Sequence, residues 1–150
     1  MKPVDAWPLD ERSGSTAADT AGVDEGTASG VRRRAGKSGA AEFDGVSSRI
    51  VTWGPALRTG KGHGFTVAAW VCPSAVPDHF ATAVSQDAAD RRLRLYVDGV
   101  QEAAVKDTAP LAGPGSLMIG RATYRRQATD FFPGAIRDVR VFDRALASDE

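Results

Sequence analysis

The chain has very little of the side-chain chemistry that builds disulfides or soft-metal sites: one cysteine and two histidines in 150 residues. The cysteine, Cys72, cannot form an internal disulfide, so cysteine usage leaves the redox compartment open. Cys72 lies in the apolar run Trp70-Val71-Cys72-Pro73, where burial in a core is the expected role. A nucleophilic role would need a nearby base, and only His63 and His79 are present to supply a histidine.

The chain also lacks net charge and long apolar runs. Nineteen basic residues balance nineteen acidic ones, so no overall field attracts nucleic acid or anionic lipid. No apolar run approaches the ~18–20 residues of a membrane-spanning helix. Residues 1–7 carry no signal-peptide core. We therefore expect no nucleic-acid partner, no membrane span, and either an intracellular chain or a piece of a longer exported protein.

Helical periodicity is scarce, and short alternating segments replace it. In residues 92–97, Leu93, Leu95 and Val97 share one face, and Arg92, Arg94 and Tyr96 share the other. Asp98-Gly99 follows at once and predicts a tight hairpin turn with residues 100–105 as the return strand.

Further strands are predicted at residues 6–9, 40–43, 49–53, 65–71, 116–120 and 134–142. Residues 65–71 are apolar on both faces, which favours a central, covered strand, and Trp7, Trp53 and Trp70 are expected in the core. Residues 10–40 contain few large apolar side chains and predict a long surface excursion. Many short strands, together with sixteen Gly and eight Pro, indicate a single all-β domain over residues 1–150, an antiparallel β-sandwich or jelly roll.

Two catalytic patterns are absent. Between Gly30 and Gly36-Lys37-Ser38 lie five residues instead of the four of a phosphate-binding loop, so Arg32-Arg33-Arg34 is expected to be a solvated face. Retaining or inverting glycosidases need two carboxylates across one sugar bond, and no Glu-x-Asp-x-x-Glu phrase occurs. The glutamates fall in predicted loops or edges (Glu11, Glu25, Glu42, Glu102 and Glu150). We expect no enzyme.

A series of phrases resembles laminin-G-like domains of the concanavalin A-like lectin/glucanase superfamily. They occur in this order: Trp7-Pro8-Leu9-Asp10, Asp19-Thr20-Ala21-Gly22, Ala41-Glu42-Phe43-Asp44-Gly45, residues 64–71, Leu95-Tyr96-Val97-Asp98-Gly99, Ile119-Gly120-Arg121-Ala122 and residues 132–146. The resemblance covers nearly the whole chain and is strongest to modules of large exported actinobacterial proteins. Fifteen Arg against four Lys fit a GC-rich coding sequence. The resemblance implies an extracellular location.

One departure from the family pattern stands near residue 87. Where family members have several more strands before the hairpin, Gln86 here runs directly into Asp87 and the residues that precede the hairpin. This predicts an internal deletion and an incomplete sandwich. Missing strands would expose backbone edges, and we expect these edges to pair with a second copy of the chain or to be capped by another protein.

Two sets of binding residues are expected. The resemblance implies a structural calcium ion on the rim, with Asp19 and Asp138 as ligands, and no other cofactor; calcium takes six to eight oxygen ligands. Arg137 stands where the family often has a second acid, which places a positive charge beside that site. Sugar rings pack on aromatic faces beside polar groups, and Arg94, Tyr96 and Tyr124 are the candidates for this role.

These observations predict a non-catalytic module that binds carbohydrate or an extracellular protein surface. Two alternatives remain open: a structural or degenerate spacer without a ligand, and a glycoside hydrolase fragment.

Overall fold

The computed structural model describes residues 2–34, 39–56, 64–76, 81–86, 92–97, 100–106, 115–124 and 127–147, with residues 92–97, 100–106 and 123–124 as backbone only. These residues form strands without any helix, and hence without a helix that could span a membrane. The strands in chain order are β1 (Asp5–Trp7), β2 (Thr16–Ala17), β3 (Gly26–Ser29), β4 (Arg32–Arg34), β5 (Ala40–Asp44), β6 (Arg49–Thr52), β7 (Thr66–Pro73), β8 (Val84–Ser85), β9 (Arg92–Val97), β10 (Val100–Lys106), β11 (Met118–Ile119), β12 (Ala122–Tyr124), β13 (Gln127–Thr129) and β14 (Pro133–Phe142).

The first sheet is built around the long C-terminal strand β14. One edge of β14 pairs with β5 through residues 133–136 and with β1 through residues 139–141, and β4 extends this side by pairing with β5. The other edge pairs with β7. All these pairings are antiparallel, and the N-terminal strand β1 is thereby tied to the C-terminal strand.

The second sheet has the order β2-β3-β6-β11-β8 and is also antiparallel. Its first two strands, and β4 of the other sheet, fall in residues 10–40, so this segment supplies strands to both sheets and is more than the surface excursion that its composition predicts. The small residues of β3 have a packing reason, because a Cβ added at Gly26 would lie 2.7 Å from Cγ2 of Ile50. A large residue does not fit where a core side chain of the neighbouring strand already fills the space.

The hydrophobic core lies between the inner faces of the two sheets. In β14, Val139 and Val141 are fully buried while Asp138 and Arg140 face solvent, which confirms the alternation read from the sequence. Trp7 is also fully buried, as predicted, and its indole Nε1 donates to the Asp24 carbonyl at 2.8 Å. The other fully buried large side chains are Leu9, Ile50, Leu117, Ile119 and Ile136. The chain is a two-layer all-β sandwich, and this prediction is confirmed.

Strand β7 does not have the covered position that its apolar sequence predicts. Within the described part of the chain it pairs with β14 alone, and residues 68–73 are exposed, Cys72 among them. Trp70 is 40% exposed and Val71 is 42% exposed. Val71 pairs with the fully buried Ile136, so it faces the inner side of the sandwich and is nevertheless open to solvent.

The predictions of a covered central strand and of buried Trp70 and Cys72 were therefore wrong. The reason is physical: an apolar sequence shows what a strand is able to pack against, not whether a neighbour is present. Trp53, at 67% exposed, also lies outside the core.

A second departure from the sequence reading concerns the arginine run of β4. The Arg33 side chain is only 6% exposed, and its guanidinium forms an ion pair of 3.2 Å with the Glu11 carboxylate. It also donates to the Thr16 carbonyl at 3.1 Å. Arg32 and Arg34 are exposed, as predicted. Arg33 points to the other side because side chains alternate along a strand.

Two hairpins complete the described structure. Strand β9 pairs with β10, with Val97 opposite Val100 and a register shift between Gln101 and Ala103, which confirms the predicted hairpin. Its turn residues, 98 and 99, lie outside the described residues. Strand β12 pairs with β13. The predicted deletion near residue 87 lies outside the described residues as well and stays a prediction.

Candidate functional site

Asp19, one of the two expected calcium ligands, organises the loop between β2 and β3 through backbone hydrogen bonds. Its Oδ1 accepts from the N–H groups of Ala6, Ala21 and Gly22, and its Oδ2 accepts from the N–H of Asp24, all at 2.9–3.0 Å. Burial raises the pKa of Asp19, but these donors, together with a hydrogen bond to Asp5, outweigh burial and hold its pKa below the ordinary value. Asp19 is an ionised acceptor whose oxygens are occupied.

The carboxyl group of Asp5 is the partner that the sequence did not reveal. Asp5 is 6% exposed, and its carboxyl is hydrogen-bonded to that of Asp19. Burial, the hydrogen bond and the charges of Asp19 and Asp24 raise the pKa of Asp5 to about 7. Two carboxyls this close share one proton more readily than they carry two charges. In the sequence, the indication of this buried carboxyl is a single acid that begins an otherwise apolar strand.

Asp138, the second expected ligand, lies in a β-bulge of β14. Its φ is +50°, and the register with β7 shifts between Arg137 and Arg140. Its backbone N–H donates to the Pro8 carbonyl at 3.1 Å, and its carboxylate lies 3.8 Å from Nε of Arg137. Asp138 lines a cavity of about 300 Å³, and Thr20 and Ala21 also line it.

Both expected ligands thus flank β1, but the arrangement does not fit a calcium ion. The four backbone N–H groups point their partly positive hydrogens at the Asp19 carboxylate. A cation would have to displace these hydrogens to reach the carboxylate oxygens. No group of three or more His, Cys, Asp or Glu residues in the described ranges is placed to hold a metal ion. The calcium site stays a prediction.

The expected sugar-binding residues lie on two separate hairpins. Arg94 and Tyr96 are on β9, opposite Ala104 and Gln101, and Tyr124 is on β12, opposite Gln127. Their side chains lie outside the described part of the structure, so their role stays a prediction.

The described residues contain a different aromatic platform, on the outer face of the second sheet. Ile50 and Thr52 of β6 point into the core, so Arg49, Val51 and the following Trp53 point outward. Pairing places Thr27 and Met118 on either side of Val51, and Ser85 beyond Met118. We call this surface the Trp53 face, formed by Thr27, Arg49, Val51, Trp53, Ser85 and Met118.

The indole of Trp53 is fixed and open at the same time. Its backbone N–H donates to the Glu25 carbonyl at 2.9 Å, and its Nε1 donates to Oγ1 of Thr27 at 3.1 Å. The ring therefore reaches back towards β3, while 67% of the residue stays accessible. A rigid, exposed indole beside hydroxyl groups is the pairing that a sugar ring needs, since the ring packs its apolar face on the indole and its hydroxyls need hydrogen-bond partners.

The other exposed tryptophan, Trp70, is already engaged. The guanidinium of Arg137 lies 4.3 Å from the centre of a Trp70 ring, in a cation–π contact. One side of that indole is therefore covered. The sequence analysis places Trp53 in the core with the other tryptophans and so does not predict its exposed position. The alternation in residues 49–53 predicts the exposed position, since it puts Trp53 on the same face as Arg49 and on the opposite face from Ile50.

The two packed antiparallel sheets make the chain a β-sandwich. Residues 79–150 match the laminin G family model described as the concanavalin A-like lectin/glucanases superfamily, and the resemblance read from the sequence is confirmed. No curated protein matches the chain.

Among solved structures, the chain is similar to domain 4 of AbnA, a GH43 extracellular arabinanase from Geobacillus stearothermophilus, determined in complex with arabinotriose. The TM-score is 0.73 at 15% sequence identity, and the likeness covers 99% of this chain and 95% of that one. At this identity the likeness establishes the shared fold.

Proposed function

We propose that this chain is a non-catalytic carbohydrate-binding module of an exported protein, and that the Trp53 face is its binding surface. The observation that carries the proposal is the Trp53 indole, exposed and held by its hydrogen bond to Thr27. Sugar rings gain most from an aromatic face that is already fixed, because little side-chain entropy is lost on binding.

Two likenesses support the proposal. The description of the matched family model names lectins and glucanases. The similar arabinanase domain was solved in complex with arabinotriose. That domain belongs to an extracellular enzyme, and on this basis we place the present module outside the cell as well.

The non-catalytic part of the proposal rests on the carboxyl pair that Asp5 and Asp19 form. Asp5 and Asp19 share a hydrogen bond, and the backbone of Gly22 packs against them so tightly that a Cβ there would meet both carboxyls. A sugar bond has no room between these two acids. Glycoside hydrolysis requires the scissile bond to lie between its two carboxyls, so this pair has a structural role.

The test is a comparison of two tryptophan variants in binding to arabino-oligosaccharides and a panel of plant polysaccharides. Trp53→Ala should lose binding by about tenfold or more, since truncating an aromatic side chain that anchors a ligand costs about 2 kcal/mol or more. Trp70→Ala is the matched control, because it removes the other exposed indole and should leave binding unchanged. The Tm of each variant shows whether it folds.

Binding that survives Trp53→Ala in a folded protein would move the site away from this face, and towards Arg94, Tyr96 and Tyr124. Absence of binding to every glycan by the wild-type chain would favour the spacer alternative. Release of reducing ends from any bound polysaccharide would refute the non-catalytic assignment.

A further inference from the structure

The end of the Trp53 face opposite the indole carries two arginines. Ile119 of β11 pairs with Ile50 of β6, so the residues after Ile119 lie beside Arg49. The chain turns at Gly120, where φ is +89°. Arg121 follows, and its carbonyl accepts a hydrogen bond of 2.7 Å from Oγ of Ser85. The turn and this bond hold Arg121 at the end of the sheet where Arg49 lies.

These two arginines differ from those paired elsewhere in the fold. Arg33 and Arg34 each have a glutamate partner. Within the described residues, no carboxylate lies at ion-pair distance from Arg49 or Arg121. Nε of Arg121 is buried and has no hydrogen-bond partner, a property that it shares with Nε of Arg33 and of Arg137. Burial and the charge of Arg49 both lower the pKa of Arg121, so the two cations destabilise each other.

A like-charged pair of this kind is relieved by an anion. The planar guanidinium offers several N–H donors in a fixed fork that matches a carboxylate, and such charge-assisted bonds are stronger than neutral ones. Arg49 is already oriented, because one of its terminal nitrogens donates to the Ser47 carbonyl at 3.0 Å.

We propose that the glycan bound on the Trp53 face is an acidic oligosaccharide, with a uronic acid carboxylate held by Arg49 and Arg121 and a neighbouring sugar stacked on Trp53. This inference rests on the proposed function, since it names the ligand class of the same surface. Arg49 begins β6 and Trp53 follows its last residue, so the two are four residues apart, about 13 Å at ~3.3 Å per residue of extended chain, a span for an oligosaccharide and not for a single sugar.

The opposite end of the face has the opposite charge. Glu25 lies across from Trp53, as the hydrogen bond between the Trp53 N–H and the Glu25 carbonyl shows. By strand alternation its side chain lies on the same side as Thr27. A carboxylate there accepts hydrogen bonds from sugar hydroxyls and repels an acidic group. The two ends together orient the chain of sugars, with its acid at the arginines and a neutral, hydroxyl-rich part at Trp53.

The experiment measures the binding of four probes by calorimetry: an oligogalacturonide, its methyl-esterified neutral counterpart, a sulfated oligosaccharide and a neutral arabino-oligosaccharide. The oligogalacturonide should bind about tenfold or more tightly than its ester, and added salt should reduce this difference. Arg49→Gln and Arg121→Gln should each remove the preference for the acid, so that the oligogalacturonide and its ester bind with equal affinity. Arg32→Gln, at an exposed arginine of the other sheet, is the control.

The outcomes separate this inference from the proposed function. Equal affinity for acid and ester, both lost in Trp53→Ala, would overturn the acidic-ligand inference and keep the binding module. No affinity for any probe would overturn both. A preference for the sulfated probe over the oligogalacturonide would overturn the assignment of a carboxylate. Gln keeps a polar side chain and removes the charge, and an unchanged Tm shows that a lost preference is not lost folding.

Discussion

The carboxyl groups of Asp5 and Asp19 share a hydrogen bond under the backbone of Gly22, where the first strand meets the loop between β2 and β3. Asp19 holds this loop through four backbone N–H groups and stays ionised. Asp5, with its pKa raised to about 7, supplies the proton that lets the two acids coexist. The charge of the pair therefore links the stability of the fold to pH.

Asp5→Asn should make the fold less sensitive to pH. The unfolded chain loses the Asp5 proton near pH 4, and the folded chain keeps it up to about pH 7. The free energy of unfolding therefore falls as pH rises from about 4 to about 7. Asn keeps a donor for Asp19 but does not titrate. By pH 8 the free energy of unfolding of the variant should therefore exceed that of the wild type by about 1–2 kcal/mol. The whole pKa shift of Asp5 corresponds to a larger free energy, part of which is offset by the lowered pKa of Asp19.

The measurement is urea unfolding of both proteins at pH 4.5, 6 and 8. Asp10→Asn, at an exposed position, is the control and should run parallel to the wild type. A stability difference between Asp5→Asn and wild type that does not grow with pH would contradict a protonated Asp5.

Calcium should leave the Tm unchanged. A ligand that binds only the native state must raise its stability, but the oxygens of Asp19 are occupied by N–H donors. Thermal unfolding in calcium and in EDTA checks this expectation. A Tm that rises with calcium and no longer does so in Asp138→Asn would establish the rim site that the family resemblance implies.

Two neighbouring arginines of β4 should differ strongly in their contribution to stability. Arg33→Met breaks an ion pair in which Arg33 is 6% exposed and Glu11 is 21% exposed, and it leaves Glu11 without its cation, at an expected loss of about 2–4 kcal/mol. Arg34→Met removes a pair whose arginine is 55% exposed, and it should cost about 0–1 kcal/mol. Chemical denaturation of the two variants provides the comparison. Equal losses would mean that Arg33 is not buried in solution.

Because no described strand pairs with the other edge of β7, we expect the chain to associate with itself through that edge. An unpaired edge with exposed apolar side chains is a template for pairing with another strand, and Val71 is 42% exposed on it. Val71→Lys should shift the population towards monomer, because a charged side chain opposes edge pairing. Sedimentation over a range of concentrations gives the distribution. Val23→Lys is the control, since Val23 is 88% exposed outside the strands. A wild-type chain that is monomeric at all concentrations would refute association through β7.

Much of the framework followed from the sequence alone. The alternation of Val139 and Val141 with Asp138 and Arg140 placed the last strand with its correct inner face, and the alternation before Asp98-Gly99 located the hairpin. These features are local, because side chains of a strand alternate whatever surrounds them. The order of short family phrases then specified the sandwich.

What only the tertiary structure decided is which neighbour each strand has. The apolar strand β7 is expected to be covered, but Val71 faces inward and is still 42% exposed, because no described strand pairs with the other edge of β7. The small residues of 10–40 predict a surface excursion, but Gly26 is small because Ile50 fills the space beside it. The shared proton of Asp5 and the meeting of Arg49 with Arg121 depend on strands distant in sequence. Burial and charge proximity are properties of packing, so alternation alone leaves them undetermined.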